Sequence, residues 1–357
     1  MLIAVASLAA CSVANPQARI AASPPAILLP VSLAGITDGR GRFREIYCAV
    51  RDDHGYRLAF DRPCDDGTAL WRLSGEPPAS GARVSVGVSA AGLTVVMVPG
   101  LLAECASGMS TVFADARANL ETQGYRTAYI QTRGRQSSEV NALIIRDAVR
   151  AMPETSRTIL VTHSKGTVDA LIALTAYPDL MDHVVALVSV AGAVNGSPLA
   201  DSLPNWLAEL AEETSLADCA PGEGVEAFDS LRRSVRLAWL SEHPTPARLR
   251  SYSLPAIAGP EDISAVLQPF YRTLAETDPA NDGLVAASDA IIPGSTLLGY
   301  ANADHLAVAM PFGADTPVLA ATLITRNDYP RAVLLEAAIR YVEEDLRKSA
   351  TRRSPAP

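Results

Sequence analysis

The sequence predicts an α/β protein whose mainly parallel sheet is flanked by helices, and three observations predict it. Short β-branched runs free of Gly and Pro, such as "TVVMV" and "RTILV", read as strands buried on both faces. Longer helical stretches separate those runs, the pattern of right-handed βαβ crossovers. With 48% of 357 residues apolar and 19% charged, the chain has ample material for a core. No internal repeat is found.

The N-terminus opens with "MLIAVASLAAC", an apolar run without a charged side chain. It is too short to cross a bilayer, which takes about 20 apolar residues. Leu8-Ala9-Ala10-Cys11 resembles the bacterial lipobox. That resemblance implies a signal peptide over 1–10, acylation of Cys11, and a membrane anchor in the bacterial cell envelope, periplasmic or outer membrane, with secretion as the alternative. The missing positive segment departs from an ordinary signal. Residues 11–35 are Pro- and Ala-rich and suit a tether. Residues 36–90 read as an irregular N-terminal extension with strand-like "REIYCAV" in one stapled hairpin.

Without Cys11, Cys48, Cys64, Cys105 and Cys219 remain, an even number in an exported chain and the basis for expecting two disulfides. Three connectivities are open. Cys48–Cys64 closes a loop of about 15 residues; Cys105–Cys219 would then tie two distant segments together. No C-x-x-C pair occurs, which speaks against zinc. A formal net charge of −9 argues against nucleic acid as a partner. The basic C-terminal stretch, with a tail over 350–357, is expected to be frayed and solvated.

The regular part spans 91–349. Strand "GLTVVMVPG" is followed by helical "GMSTVFADARANLETQGY", strand "RTAYIQ", helix "SSEVNALIIRDAVRAM" and strand "RTILVT". A helix from Val168 and strand "HVVALVSVAGAV" come next. A segment over about 198–247 then reads as a helical cap, with "LPNWLAELAEE" and "VEAFDSLRRSVRLAWL". Trp206, Leu207 and Leu210 in the first helix, and Phe228, Leu231, Val235 and Trp239 in the second, recur at helical spacing and are expected to pack the cap onto the core. The alternative is that part of this face opens to receive an acyl chain. "RLRSYSLPAIAG", a further helix, a strand near "STLLGY" and helix "RAVLLEAAIRYVEEDLRK" complete the chain.

The chemistry centres on "VTHSKGTVD". Ser164 stands at a strand-to-helix joint, where a sharp turn can hold a hydroxyl clear of the backbone. Gly166 permits close packing there, but Thr162 occupies the position where such elbows usually carry glycine. A nucleophilic serine needs a base, and the base an orienting carboxylate. Of five histidines, His54 precedes the serine, His163 adjoins it and is expected to point elsewhere, His183 opens a strand and His243 lies in the cap segment. His305, in "NADHLAVAMP", is left as the base, and Asp282 of "DPANDGLV" as the acid, each read on a loop after a strand. Two backbone N–H groups should face the developing oxyanion. One belongs to Lys165; the other comes from "VPGLLAEC", at Leu101 or Leu102.

On these residues the chain resembles the bacterial α/β-hydrolase lipases and esterases over about 93–312. "VVMVPGLL" looks like their oxyanion strand and loop, "VTHSKGTVDAL" like the elbow, and "VSVAGAVNGSPLAD" like the strand and loop that follow. "NDGLV" and "DHLAVAMP" look like the segments of the acid and the base. The resemblance implies an α/β-hydrolase fold and a serine esterase that works through an acyl-enzyme on an ester substrate with an acyl chain, with no cofactor. Many such lipases bind structural calcium, but no ligand set carries over onto this sequence. Two alternatives remain: an acyltransferase or polyester depolymerase with the same triad, and a non-catalytic envelope lipoprotein.

Overall fold

The computed structural model describes residues 35–101, 111–202, 225–312 and 317–353. Its centre is a seven-stranded sheet in the order β1-β8-β6-β5-β4-β2-β3, with every pair parallel. The strands are β1 (Thr37–Asp38), β2 (Leu93–Val98), β3 (Arg126–Tyr129), β4 (Arg157–His163), β5 (Val184–Val190), β6 (Ser251–Leu254) and β8 (Thr296–Leu297). A separate parallel pair joins β7 (Ala256–Ile257) to β9 (Ala301–Asn302). β2, β4 and β5 are almost wholly buried, as uninterrupted Val, Ile and Leu demand when helices cover both faces.

Among the described residues five helices cover the sheet: α1 (Arg40–Asp53), α2 (Ala114–Thr122), α3 (Ser138–Arg150), α4 (Lys165–Ala176) and α10 (Arg331–Arg353). The other described helices are α5 (Pro198–Ser202), α6 (Val225–Asp229), α7 (Arg233–Glu242), α8 (Gln268–Ala275) and α9 (Pro317–Thr322). The C-terminal helix runs past Lys348 to Arg353, so Ala350–Arg353 belong to it and not to the tail. Its last turns are supported by Arg347–Glu343 and Lys348–Glu344, four residues apart along one face.

The N-terminal extension departs furthest from the sequence expectation. "REIYCAV" lies inside helix α1, not in a hairpin. Phe43, Ile46, Tyr47 and Val50 recur at helical spacing and are buried in the same core as Val333, Leu334 and Ala337 of α10. Cys48 and Cys64 do form a disulfide. The chain then runs as a strap along the molecule. Leu70 bridges to Ala301, Asn302 N–H donates to the Ala69 carbonyl at 2.9 Å, and the Trp71 indole donates to the Ile257 carbonyl at 2.8 Å. β1 adds a final strand beside β8, with Thr37 opposite Thr296. The extension is thus built into the sheet and the core.

The cap also differs in detail. "VEAFDSLRRSVRLAWL" breaks into α6 and α7, with Leu231 buried between them and a bridge from Ser197 to Arg232. The break resets the helical phase, so Val235 is 46% exposed where continuous spacing placed it inward. Arg236 takes the inward position instead. Trp206, Leu207 and Leu210 lie outside the described residues, as do Cys11, Leu102, Cys105 and Cys219.

Candidate active site

The site is assembled at the C-terminal ends of β2 and β4. Ser164 joins β4 to α4 with φ 54° and ψ −128°. A non-glycine residue held there stores roughly 1–3 kcal/mol of strain, and the surroundings must impose it. The sequence makes room for this turn. A side chain at Gly166 would strike the carbonyls of Val98 and Pro99, so only glycine lets α4 start so close to β2. A Cβ on Gly100 would come 2.7 Å from Ser164 Cβ, so the loop after β2 passes directly over the serine.

Thr162 is accommodated by hydrogen bonding. Its hydroxyl lies 2.8 Å from Thr167 Oγ1, which lies 3.1 Å from Ser189 Oγ, and it donates to the Val188 carbonyl at 3.3 Å. The larger side chain is fully buried, yet its polar atom is satisfied, which removes the main cost of placing it there.

His305 follows β9, and its Nε2 is 2.9 Å from Ser164 Oγ. Its Nδ1 is 2.7 Å from Asp282 Oδ2. The other carboxylate oxygen accepts the amides of Leu284 and Val285 at 2.9 and 2.8 Å, which fixes the carboxylate plane. Asp282 N–H is matched by the Val285 carbonyl, and Asp282 C=O accepts the His305 amide at 2.9 Å. The turn bearing Asp282 comes after helix α8 and not directly after a strand. The Ala258 amide donates to the Asn281 carbonyl at 3.1 Å and draws that turn back beside the end of β7. All three side chains are at least nine-tenths buried.

Lys165 occupies the first position of α4, where the amide has no intrahelical acceptor and is available to a ligand. Its side chain is buried, and Nζ donates to Asp169 Oδ1 at 2.8 Å. The second Asp169 oxygen accepts from Asn141 Nδ2 at 2.8 Å, and Asn141 in turn grips the Arg133 backbone. Burial pushes the Asp169 carboxyl up from its ordinary range, against the pull of Lys165. Leu101 follows Gly100 and packs half-buried against the apolar cluster that contains Val98 and Val168.

The remaining histidines separate clearly. His54, at the end of α1 in the N-terminal extension, is bound by Asp53 and by Glu336 of α10, and His243 stacks on Trp239 in the cap. His163 departs from expectation. It does not turn away from the site: its Nε2 lies 3.0 Å from the His305 carbonyl oxygen and the two rings are 4.8 Å apart. Adjacency to Ser164 was the only sequence signal, and it could not reveal a contact spanning 142 residues.

Arg236 was missed altogether. Its guanidinium is buried under α7, 4.6 Å from the Trp239 ring, and its Nε donates to the Val194 carbonyl at 3.2 Å. Burial lowers its pKa to about 10. Among the described residues, no group of three His, Cys, Asp or Glu side chains is placed to hold a metal ion.

The described geometry has a near relative among solved structures. The metagenomic carboxyl esterase MGS0156 is 55% identical, with a TM-score of 0.86, over 92% of this chain and 98% of that one. Bacillus licheniformis lipase BlEst2 in its propeptide form is 21% identical over 62% of this chain and 48% of that one, and its TM-score of 0.50 reflects a shared fold. No protein-family model and no curated protein sequence matches the chain.

Proposed function

This chain belongs to the bacterial α/β-hydrolase family of lipases and esterases and is a carboxylic-ester hydrolase, and we propose that it works through an acyl-enzyme formed on Ser164. The observation that carries the reading is the unbroken sequence of contacts from Ser164 Oγ to His305 Nε2 and from His305 Nδ1 to Asp282 Oδ2. As Oγ attacks the ester carbonyl, His305 takes its proton. Asp282 holds the imidazole in the tautomer that leaves Nε2 free to accept it and stabilises the imidazolium that results. The amides of Lys165 and Leu101 face the tetrahedral oxyanion, whose charge grows only as the bond forms. His305 then protonates the departing alcohol, and the alkoxyl–carbon bond breaks to leave the acyl group on Ser164. A water molecule, activated by the same imidazole, repeats the attack and frees the acid.

Ser164→Ala should remove p-nitrophenyl ester turnover by about 10⁶-fold, the scale of nucleophile loss in serine hydrolases. Circular dichroism should show an unchanged fold, and retained turnover would refute the assignment. Product analysis with an added alcohol distinguishes water from an alcohol as the acyl acceptor. We further propose that Cys11 is acylated and holds the enzyme at the envelope membrane; the pattern of residues 8–11 supports this. Intact-mass measurement in a bacterial host tests it, and an unmodified Cys11 would overturn it.

A further inference from the structure

We propose that His163 is a positioning residue that locks the base to the nucleophile elbow, a role that rests on the triad reading above. It is the last residue of β4, so its backbone leads directly into Ser164. Its imidazole reaches across to the backbone carbonyl of His305, 3.0 Å from Nε2. A carbonyl oxygen only accepts, so the hydrogen resides on His163 Nε2 and this ring is a donor there. One side chain therefore connects the residue before the nucleophile to the residue that must take its proton.

The backbone of His305 is thereby held at both polar ends. Its N–H donates to the Asp282 carbonyl at 2.9 Å, and its C=O accepts from His163. Asp282 Oδ2 fixes the ring itself. Removing either backbone contact leaves that end of the residue unanchored, so the loop can shift and carry the ring away from its best distance to Oγ. The base must stay within hydrogen-bond reach of Oγ while the serine is itself in a strained conformation. An anchor that starts at the strained turn keeps the two groups in one rigid unit.

The environment also keeps this anchor uncharged. His163 is 4% exposed, and burial, followed by repulsion from His305, holds its pKa well below the ordinary histidine range. The ring centroids are 4.8 Å apart with a 42° tilt. A second positive charge at that distance would oppose formation of the His305 imidazolium, whereas a neutral donor does not.

The test compares three substitutions at position 163. His163→Phe keeps an aromatic ring but removes the donor. His163→Gln carries an amide N–H at the reach of Nε2, and His163→Asn carries one too short to span to the His305 carbonyl. With p-nitrophenyl acetate, His163→Phe should lower kcat by about 10- to 100-fold at nearly constant KM, the scale of a small misplacement of a catalytic group. His163→Gln should recover most of that loss and His163→Asn should not.

A fluorophosphonate probe separates this proposal from the triad assignment. Wild type and all three variants should label on Ser164, with the rate of His163→Phe reduced by the same factor as kcat. Labelling of every protein at equal rates would overturn the role of His163 and leave the triad intact. Absence of label on Ser164 in the wild type would overturn the triad reading itself. Should His163→Phe fail to fold, the Gln and Asn variants decide: Gln faster by about tenfold supports the anchor, and equal rates refute it.

Discussion

The serine elbow and the N-terminal brace solve opposite problems. Around Ser164 the strain is local, imposed over a few residues by Gly100, Gly166 and the close passage of the loop after β2. The brace over 36–90 has little regular structure beyond α1, and depends on partners far along the chain. Arg44 ties the segment together through Glu76 and the carbonyls of Cys64, Leu70 and Trp71, while Arg62 reaches out to the carbonyls of Asn302 and Asp328. On the proposed mechanism the elbow supplies the reactive hydroxyl, and the brace holds the short strand that leads to His305. Chemistry and its mechanical support are therefore encoded in different ways. Substitutions in the first region should change rate at constant stability, and those in the second should change stability first.

The largest effect expected on the elbow side comes from Asp282→Asn. It should lower kcat by about 10⁴-fold, because the amide presents a donor to His305 Nδ1 and selects the wrong tautomer. The melting temperature should stay close to that of the wild type. A loss of stability in proportion to the loss of rate would erase the distinction between the two regions.

Lys165→Met sharpens the comparison, since it lies in the elbow yet should behave as a structural change. Removing the ammonium leaves the buried Asp169 carboxylate without its charge partner, and stability in urea should fall by about 3–5 kcal/mol. The backbone amide is retained, so turnover by the folded fraction should persist. Near-complete loss of turnover in the folded protein would show that the side chain does more than hold Asp169.

In the brace, replacing both Cys48 and Cys64 by serine should cost about 3 kcal/mol, the loop entropy of a staple of this span. Thermal unfolding measures it, and kcat of the folded protein should change only a few-fold. An equal loss of rate would mean that the strap controls His305 directly.

The smallest effect concerns pH. Burial pulls the His54 pKa down, but hydrogen bonds to Asp53 and Glu336 outweigh it and the net shift is upward. Asp53 and Glu336 face the ring, and Arg340 binds the other oxygen of Glu336. With the folded value above the unfolded one, the stabilisation is fully present below about pH 6.5, the unfolded value, and is lost as pH rises through the folded pKa. Urea titrations across pH should show that slope in the wild type and a flatter one in His54→Ala. An unchanged slope would remove His54 from the account.

Much of the candidate site was legible because its residues are constrained by local rules. A serine between a buried strand and a helix and a glycine two residues later have short-range signatures, and an Asp-Gly pair and a histidine follow them in the right chain order. The central strands β2, β4 and β5 were legible for the same reason, since burial on both faces demands continuous Val, Ile and Leu, whereas β1 was not. The brace was not. In "REIYCAV" a β-branched reading competed with the spacing of Phe43, Ile46, Tyr47 and Val50, and packing against α10 decides for the helix. Val235 went wrong because one turn at Ser230–Arg232 shifts the phase of everything after it. His163 and Arg236 were illegible because their partners, His305 and Val194, are set by tertiary structure alone.

The most direct test of the central claim is stoichiometric labelling of the folded protein with a fluorophosphonate, followed by peptide mapping. One phosphonyl adduct per chain is expected on Ser164, absent from Ser164→Ala and greatly slowed in His305→Ala. Adduct formation on a different serine, or undiminished labelling after loss of His305, would contradict it.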